Sequence, residues 1–229
     1  MSSRWLVQAA PVAGVVGALA IIGTALMAAA LYVGSAGQRY SPLNHWISEL
    51  GEVAVSQLAG LFNLGLIVGG ACFVVFIVGL ALARGGWLRW LYAPVGVLAG
   101  LSGIGVGVYP MDIAEPHIVA ALGFFNLGWI CVALASVDIL LRPEPRFPRW
   151  LALIGAATVV AFLAFLSIYL PLVLGPAQVV PAVRPDFRPV TLLQWTVLIG
   201  ILGWVLAASV TWLRAADGRP EAAEARAHG

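Results

Sequence analysis

Six apolar stretches, at about residues 12–33, 55–83, 91–109, 117–141, 150–174 and 192–213, leave this chain few folds to choose from. Each matches or exceeds the roughly 20 apolar residues that cross the hydrocarbon core of a bilayer. A segment in lipid must satisfy its own backbone N–H and C=O groups, and a run of this kind does so as an α-helix. The charge content agrees: 10% of residues are charged, against about 25% in a soluble domain. The expectation is an all-α, polytopic integral membrane protein. Residues 1–214 form one bundle of six transmembrane helices in three hairpins, and residues 215–229, which lack an apolar stripe, form a disordered tail. Arg4 and the small residues Ala28, Ala29 and Ala30 imitate a secretory signal, but the apolar core is longer than the roughly 7–15 residues of a signal. The first stretch is therefore read as a helix.

Basic residues orient such a chain, because they are retained on the cytoplasmic side. With both termini inside, Arg4, Arg84, Arg89, Arg142, Arg146, Arg149, Arg214, Arg219 and Arg226 fall on the inner face, and only Arg39, Arg184 and Arg188 on the outer. The expected location is the cell membrane, with cytoplasmic N- and C-termini. A net charge of +2 implies no nucleic-acid partner. Cys72 and Cys131 lie within apolar stretches and are read as small packing residues rather than a disulfide. Small residues also predict where helices approach closely: Gly96, Gly100, Gly103 and Gly107 in the third stretch, Gly65 and Gly69 in the second. The fifth stretch has only Gly155 and is expected at the periphery.

Polar groups are concentrated in two connections on the outer face. Residues 40–51 read YSPLNHWISELG, and residues 109–117 read YPMDIAEPH. In the first, Ser41-Pro42 is a helix start and Gly51 a stop. A helix between them puts Leu43, Trp46, Ile47 and Leu50 on one face and His45, Ser48, Glu49 and Glu52 on the other, the pattern of an amphipathic helix lying at the interface. The motif Phe62-Asn63-Leu64-Gly65 recurs as Phe125-Asn126-Leu127-Gly128, and the same offset aligns Glu49 with Asp112 and Glu52 with Glu115. This suggests a parallel repeat about an axis along the membrane normal. It places Asn63 and Asn126 at roughly 12–14 Å below the outer helix ends, facing the bundle interior as interhelical hydrogen-bond partners or as the floor of a pocket.

His45, Glu49, Asp112 and His117 are the candidate catalytic groups, as acid/base residues or as ligands of a divalent ion. No spacing among them is a recognised zinc motif, and the sequence names no cofactor. A plainer reading stands beside this one: Glu115 and Pro116 start a helix, Glu49 pairs with an arginine, and His45 sits at the headgroup level. A Ser48/His45/Glu49 triad is disfavoured, because one short helix cannot aim three neighbours as nucleophile, base and orienter. Asp138 lies one turn from the inner end of its stretch with Arg142 at i+4, the spacing of a snorkelling ion pair.

Taken together, Ser41, Leu43, His45, Ser48, Glu49, Leu50 and Gly51, then Tyr109, Pro110, Asp112 and His117, resemble the membrane proteins grouped as domain of unknown function 998. The likeness covers about residues 12–213 and extends distantly to the six-helix Frag/DRAM group. It implies a six-helix fold with these polar residues clustered at the outer face, and implies no activity. The leading reading is a protein whose outer polar site lies over an inter-helical groove and binds or modifies a lipid or isoprenoid. Trp46, Ser48, Phe62, Asn63, Phe125, Asn126 and Trp129 would contact that substrate, and the partners are membrane lipids and a hydrophobic small molecule. The alternatives are an isoprenoid cyclase using Glu49 or Asp112 as proton donor, and a structural or assembly subunit with no enzymatic role.

Overall fold

Residues 3–175 and 184–217 are described by the computed structural model. The apolar stretches are six helices: α1 (Ser3–Leu31), α2 (Ala59–Arg84), α3 (Arg89–Val108), α4 (Ala114–Leu141), α5 (Trp150–Leu174) and α6 (Pro189–Asp217). All six are long and apolar enough to cross a membrane. The described residues contain no strand, only the isolated bridges Val33 with Arg39 and Glu144 with Phe147. Helix α1 begins well before residue 12 and α4 begins at Ala114 rather than 117, because a backbone ladder continues past the apolar core until something stops it. Gly85 and Gly86 stop α2: their φ angles of 64° and 70° lie in the left-handed region, where a side chain would be strained. Residues 215–217 complete α6, so the tail expected from residue 215 falls outside the described residues beyond Asp217.

The helices form a closed ring. Each packs on its neighbour in sequence, and α6 returns to pack on α1. Successive helices cross in alternate directions, so both ends of the six-helix bundle emerge on one face, the terminal face. The opposite, loop face carries residues 32–58, 109–113 and 184–188. Helix α5 packs between α4 and α6: Phe162 and Phe165 are buried, and Phe125 of α4 meets the Phe165 ring at 4.4 Å. Trp5, Trp87, Trp90 and Trp150 are exposed near the terminal face, the usual depth of an aromatic belt.

Glycine sets the spacing of the first three helices. A Cβ on Gly17 of α1 would sit 3.2 Å from the Gly69 carbonyl oxygen of α2, and one on Gly69 would sit 3.2 Å from that of Gly17. On the next face of α2, a Cβ on Gly70 would lie 2.9 Å from the Gly100 carbonyl oxygen of α3. These backbones touch, so no side chain fits between them. Both cysteines are free, as expected; Cys131 is buried on α4 against α3.

The terminal face is locked by charge. Asp138 of α4 is fully buried and pairs with both Arg84 at the end of α2 and Arg142. Arg84 also donates to the carbonyls of Asp138 at 2.9 Å and Arg142 at 2.8 Å, and Arg142 donates to those of Arg84 and Gly85, each at 3.0 Å. The i+4 pair is present, with Arg142 part-exposed and Asp138 buried. It is half of a two-arginine clamp on the buried Asp138 that ties α2 to α4, and the second, buried arginine lies 54 residues away in sequence.

Replacing Asp138 with Asn should leave buried Arg84 with only the half-exposed Glu144, 3.7 Å away, as counter-charge and destabilise the protein by about 3 kcal/mol, read as a lower midpoint of thermal unfolding in detergent. Gly70→Val should cost about 1–3 kcal/mol by overpacking the α2–α3 contact, whereas a valine at Gly60, where no atom lies within 4 Å of a built Cβ, should be tolerated.

Candidate functional site

The expected interfacial helix over residues 41–51 does not form. Ser41 accepts hydrogen bonds from the Asn44 and His45 N–H groups at 3.2 and 2.9 Å, closing a single turn. The chain then extends at Trp46 and re-enters as a 3₁₀ helix, Ile47–Gly51. Ile47, Glu49, Leu50 and Gly51 are buried, and so is His45. The segment is a plug that sits in the loop-face mouth of the ring against α1, α2 and α6. Its polar side does not face outward as an amphipathic helix would require, because the plug's own backbone must be satisfied where water does not reach.

Surrounding side chains supply those bonds. Gln194 of α6 accepts the Ile47 N–H at 2.9 Å, and Asn63 of α2 donates to the Gly51 carbonyl at 2.9 Å. Glu49 accepts the Trp46 N–H at 2.8 Å, the back-reaching half of a capping box. Asp112 caps the exit, accepting the Val53 and Ala54 N–H groups at 2.6 and 3.3 Å. A strap ahead of α6 closes over the plug. Arg184 donates to both oxygens of Glu49, at 2.9 and 2.8 Å, and to the Asn44 carbonyl; the Arg188 N–H reaches the Leu43 carbonyl at 2.7 Å. The expected arginine partner of Glu49 is thus Arg184. The bond to Glu49 raises the guanidinium pKa still further.

The two histidines are set differently. Asn44 donates its amide N–H to the Pro185 carbonyl at 3.1 Å, which turns its Oδ1 toward His45 Nδ1 at 2.7 Å. Nδ1 also faces the Ser41 N–H at 3.3 Å, so it meets both a donor and an acceptor, while Nε2 is buried without a partner. The ring is caged by Tyr32 and Tyr40, at centroid distances of 5.5 and 5.3 Å. Burial pushes the Tyr32 hydroxyl up to about 12, with the charges of Glu49 and Glu52 adding to it. His117, in the first turns of α4, bonds through Nδ1 to the Tyr109 carbonyl at 2.8 Å.

Beneath the plug runs an apolar slot of about 130 Å³. Its walls come from α1, α2, α3, α4 and α6, and on three of them the lining extends from Phe62 to Phe73, His117 to Gly128 and Gln194 to Val205. Each of those intervals rises roughly 16 Å along a helix. Apart from Ser48, His117 and Gln194, all at its loop-face end, the lining side chains are apolar or glycine.

The expected site residues therefore divide. His117, Ser48, Phe62 and Phe125 line the slot. His45, Glu49 and Asp112 hold the plug and strap and do not line it. Trp46 stacks edge-on against Tyr169 at 5.9 Å, Trp129 packs into the core, and neither reaches the slot. Asn63 is the expected bonding partner, but to the plug rather than to a helix. Asn126 bonds to the Leu122 carbonyl of its own helix at 2.8 Å. The repeat does not carry over to depth: Asn63 lies four residues into α2 and Asn126 twelve into α4. Among the described residues no three His, Cys, Asp or Glu side chains are grouped to hold a metal ion. Gln194 and Arg184 were visible only as isolated polar residues, and nothing local in the sequence showed that they face the plug.

Two tests follow from this geometry. Asn63→Ala and Gln194→Leu each strand one buried plug group and should destabilise the protein by about 1–3 kcal/mol, measured by thermal unfolding in detergent. Burial lowers the pKa of His45 below its ordinary 6.5, with Glu49 opposing and Arg184 adding to the shift. The unfolded chain then takes up a proton that the folded chain resists, so this contribution to stability is lost as pH falls below about 6.5. A His45→Gln variant should lose stability less steeply than the wild type on acidification, and equal slopes would refute the assignment.

No curated protein and no solved structure is detectably similar to this chain. A family model does match, over most of the length and both polar connections, without carrying the wider likeness to the Frag/DRAM group with it. Residues 15–211 match the family described as Protein of unknown function (DUF998), and this six-helix membrane protein belongs to that family.

Proposed function

We propose that the protein binds the hydrocarbon chain of a lipid or isoprenoid in the slot, with the ligand's polar end beneath the plug. One observation carries this reading: the slot is apolar along its length and polar only at the loop-face end. A chain lying there buries its methylenes at about 0.8 kcal/mol each. The closed volume of about 130 Å³ is near that of an apolar cavity of about 150 Å³ that takes one benzene, so a full chain must widen the ring. Helix α3 is the wall best suited to give. It contains Gly96, Gly100, Gly103, Gly105 and Gly107 together with Pro94, and each weakens a helix interior. Outside the α3–α4 seam, a groove lined by Ser102, Gly105, Tyr109, Glu115 and Val119 offers a lateral approach from the bilayer.

Modification of the ligand would fall to His117, the one titratable group among the described residues that lines the slot. An isoprenoid cyclase draws support from the rings of Phe62, Phe73, Phe124 and Phe125 around the slot. It lacks the acid, since Glu49 is bound to Arg184 and Asp112 to the Val53 and Ala54 N–H groups. The proposed location is the cell membrane with the terminal face cytoplasmic, supported by the arginines gathered there. Single cysteines at Ser41 and Ala216 test it: outside access at Ala216 would reverse the orientation.

Binding is tested by filling the slot. A Cβ on Gly103 would meet only Phe124, at 3.7 Å, so Gly103→Phe extends into the slot without a backbone clash. Lipid extracted from the purified wild type should include a chain molecule near one equivalent that is missing from the variant. Equal content in both, at equal thermal stability, would overturn the reading.

A further inference from the structure

The groups at the loop-face end of the slot also select among polar ends of a ligand, an inference that rests on the chain-binding reading above. We infer that the slot takes a lipid or isoprenoid whose polar end is an uncharged hydroxyl, and rejects carboxylates and phosphate esters.

Three polar side chains line that end, and their hydrogen-bonding states follow from their other partners. Gln194 commits Oε1 to the Ile47 N–H, which fixes its amide and leaves Nε2 as a donor. His117 bonds through Nδ1 to a carbonyl, which can only accept, so Nδ1 carries the proton and Nε2 offers a lone pair. The Ser48 hydroxyl has one contact, a weak one to Met111 Sδ at 3.6 Å, and can turn to donate or accept. One donor, one acceptor and one group able to do either describe a partner that both donates and accepts, as an alcohol does.

Charge at the site argues the same way. Among the described residues no arginine and no carboxylate lines the slot. The nearby cation, Arg184, is held on both Glu49 oxygens and the Asn44 carbonyl, and Arg188 lies over the Trp46 ring at 5.3 Å. Among the described residues no carboxylate pairs with His117. A buried carboxylate or phosphate would meet no counter-charge and would carry a large desolvation penalty. An ammonium head would likewise find no acid. A hydroxyl enters with its donor and acceptor both satisfied.

The test uses n-decanol, decanoate and decyl phosphate, which share one chain and differ only at the end. Each is titrated into the full-length protein in detergent while thermal unfolding is followed. The slot-filled Gly103→Phe variant serves as the blank for effects on the micelle. Decanol should raise the unfolding midpoint of the wild type above the blank, with an apparent affinity about tenfold or more tighter than either anion. His117→Gln and Ser48→Ala should each weaken decanol several-fold while leaving the anions unchanged. Ser48→Ala removes only the weak contact to Met111, so it reports even if the histidine variant does not fold. Anions that bind as tightly as decanol would overturn the hydroxyl inference and leave the chain-binding slot standing. If none of the three shifts the wild type relative to the slot-filled blank, the slot reading fails and the inference with it.

Discussion

A non-helical segment buried in the mouth of a helical ring must have every backbone polar group answered by protein, and most of the loop-face architecture follows from that requirement. Lipid supplies no hydrogen bonds, so irregular backbone survives at such a depth only when neighbouring side chains replace the missing ladder. Gln194, Asn63, Glu49 and Asp112 do this for the plug from α6, α2, the plug itself and the α3–α4 connection. Each belongs to a different part of the chain. The plug consequently holds those parts in register as firmly as they hold it.

A ring of sequential neighbours encloses an axis that no helix occupies, and side chains must fill it or leave space. Here glycine does both jobs in different directions. Gly69, Gly70 and Gly100 bring α2 against α1 and α3, while Gly103 leaves the axis underfilled. The slot is the remainder. It is closed above by the plug, and the terminal face is tied by the clamp of Arg84, Asp138 and Arg142. Helix α3, which makes no bond to that clamp, supplies the glycine-rich wall of the slot.

This division separates structure from chemistry among the polar residues. The acids that looked most reactive, Glu49 and Asp112, are engaged in holding backbone, where ionised oxygens make the strongest acceptors. Less conspicuous groups, Ser48 and the amide of Gln194, face the space where a ligand fits. His117 belongs to both sets, one nitrogen bound to the Tyr109 carbonyl and the other unengaged. A weak, neutral set of groups suits recognition of a neutral polar end better than it suits bond cleavage.

The number of helices, their approximate limits and the two connections that carry polar groups were legible in the sequence, because hydropathy and helix-stop residues act locally. So was the pairing of Asp138 with Arg142, which needs only one helical turn. The plug was not legible. Residues 41–51 carry every local mark of an amphipathic helix, yet contacts to Gln194 and Asn63, distant in sequence, favour a turn and a 3₁₀ segment instead. For the same reason the second arginine on Asp138 and the strap over Glu49 are decided by the ring, which alone brings Arg84 and Arg184 into reach. By itself the sequence determined how often the chain crosses the membrane, since each helix satisfies its own backbone. Only the tertiary structure decided which polar groups hold the fold and which face the slot, since that depends on where closing the ring leaves each unsatisfied donor and acceptor.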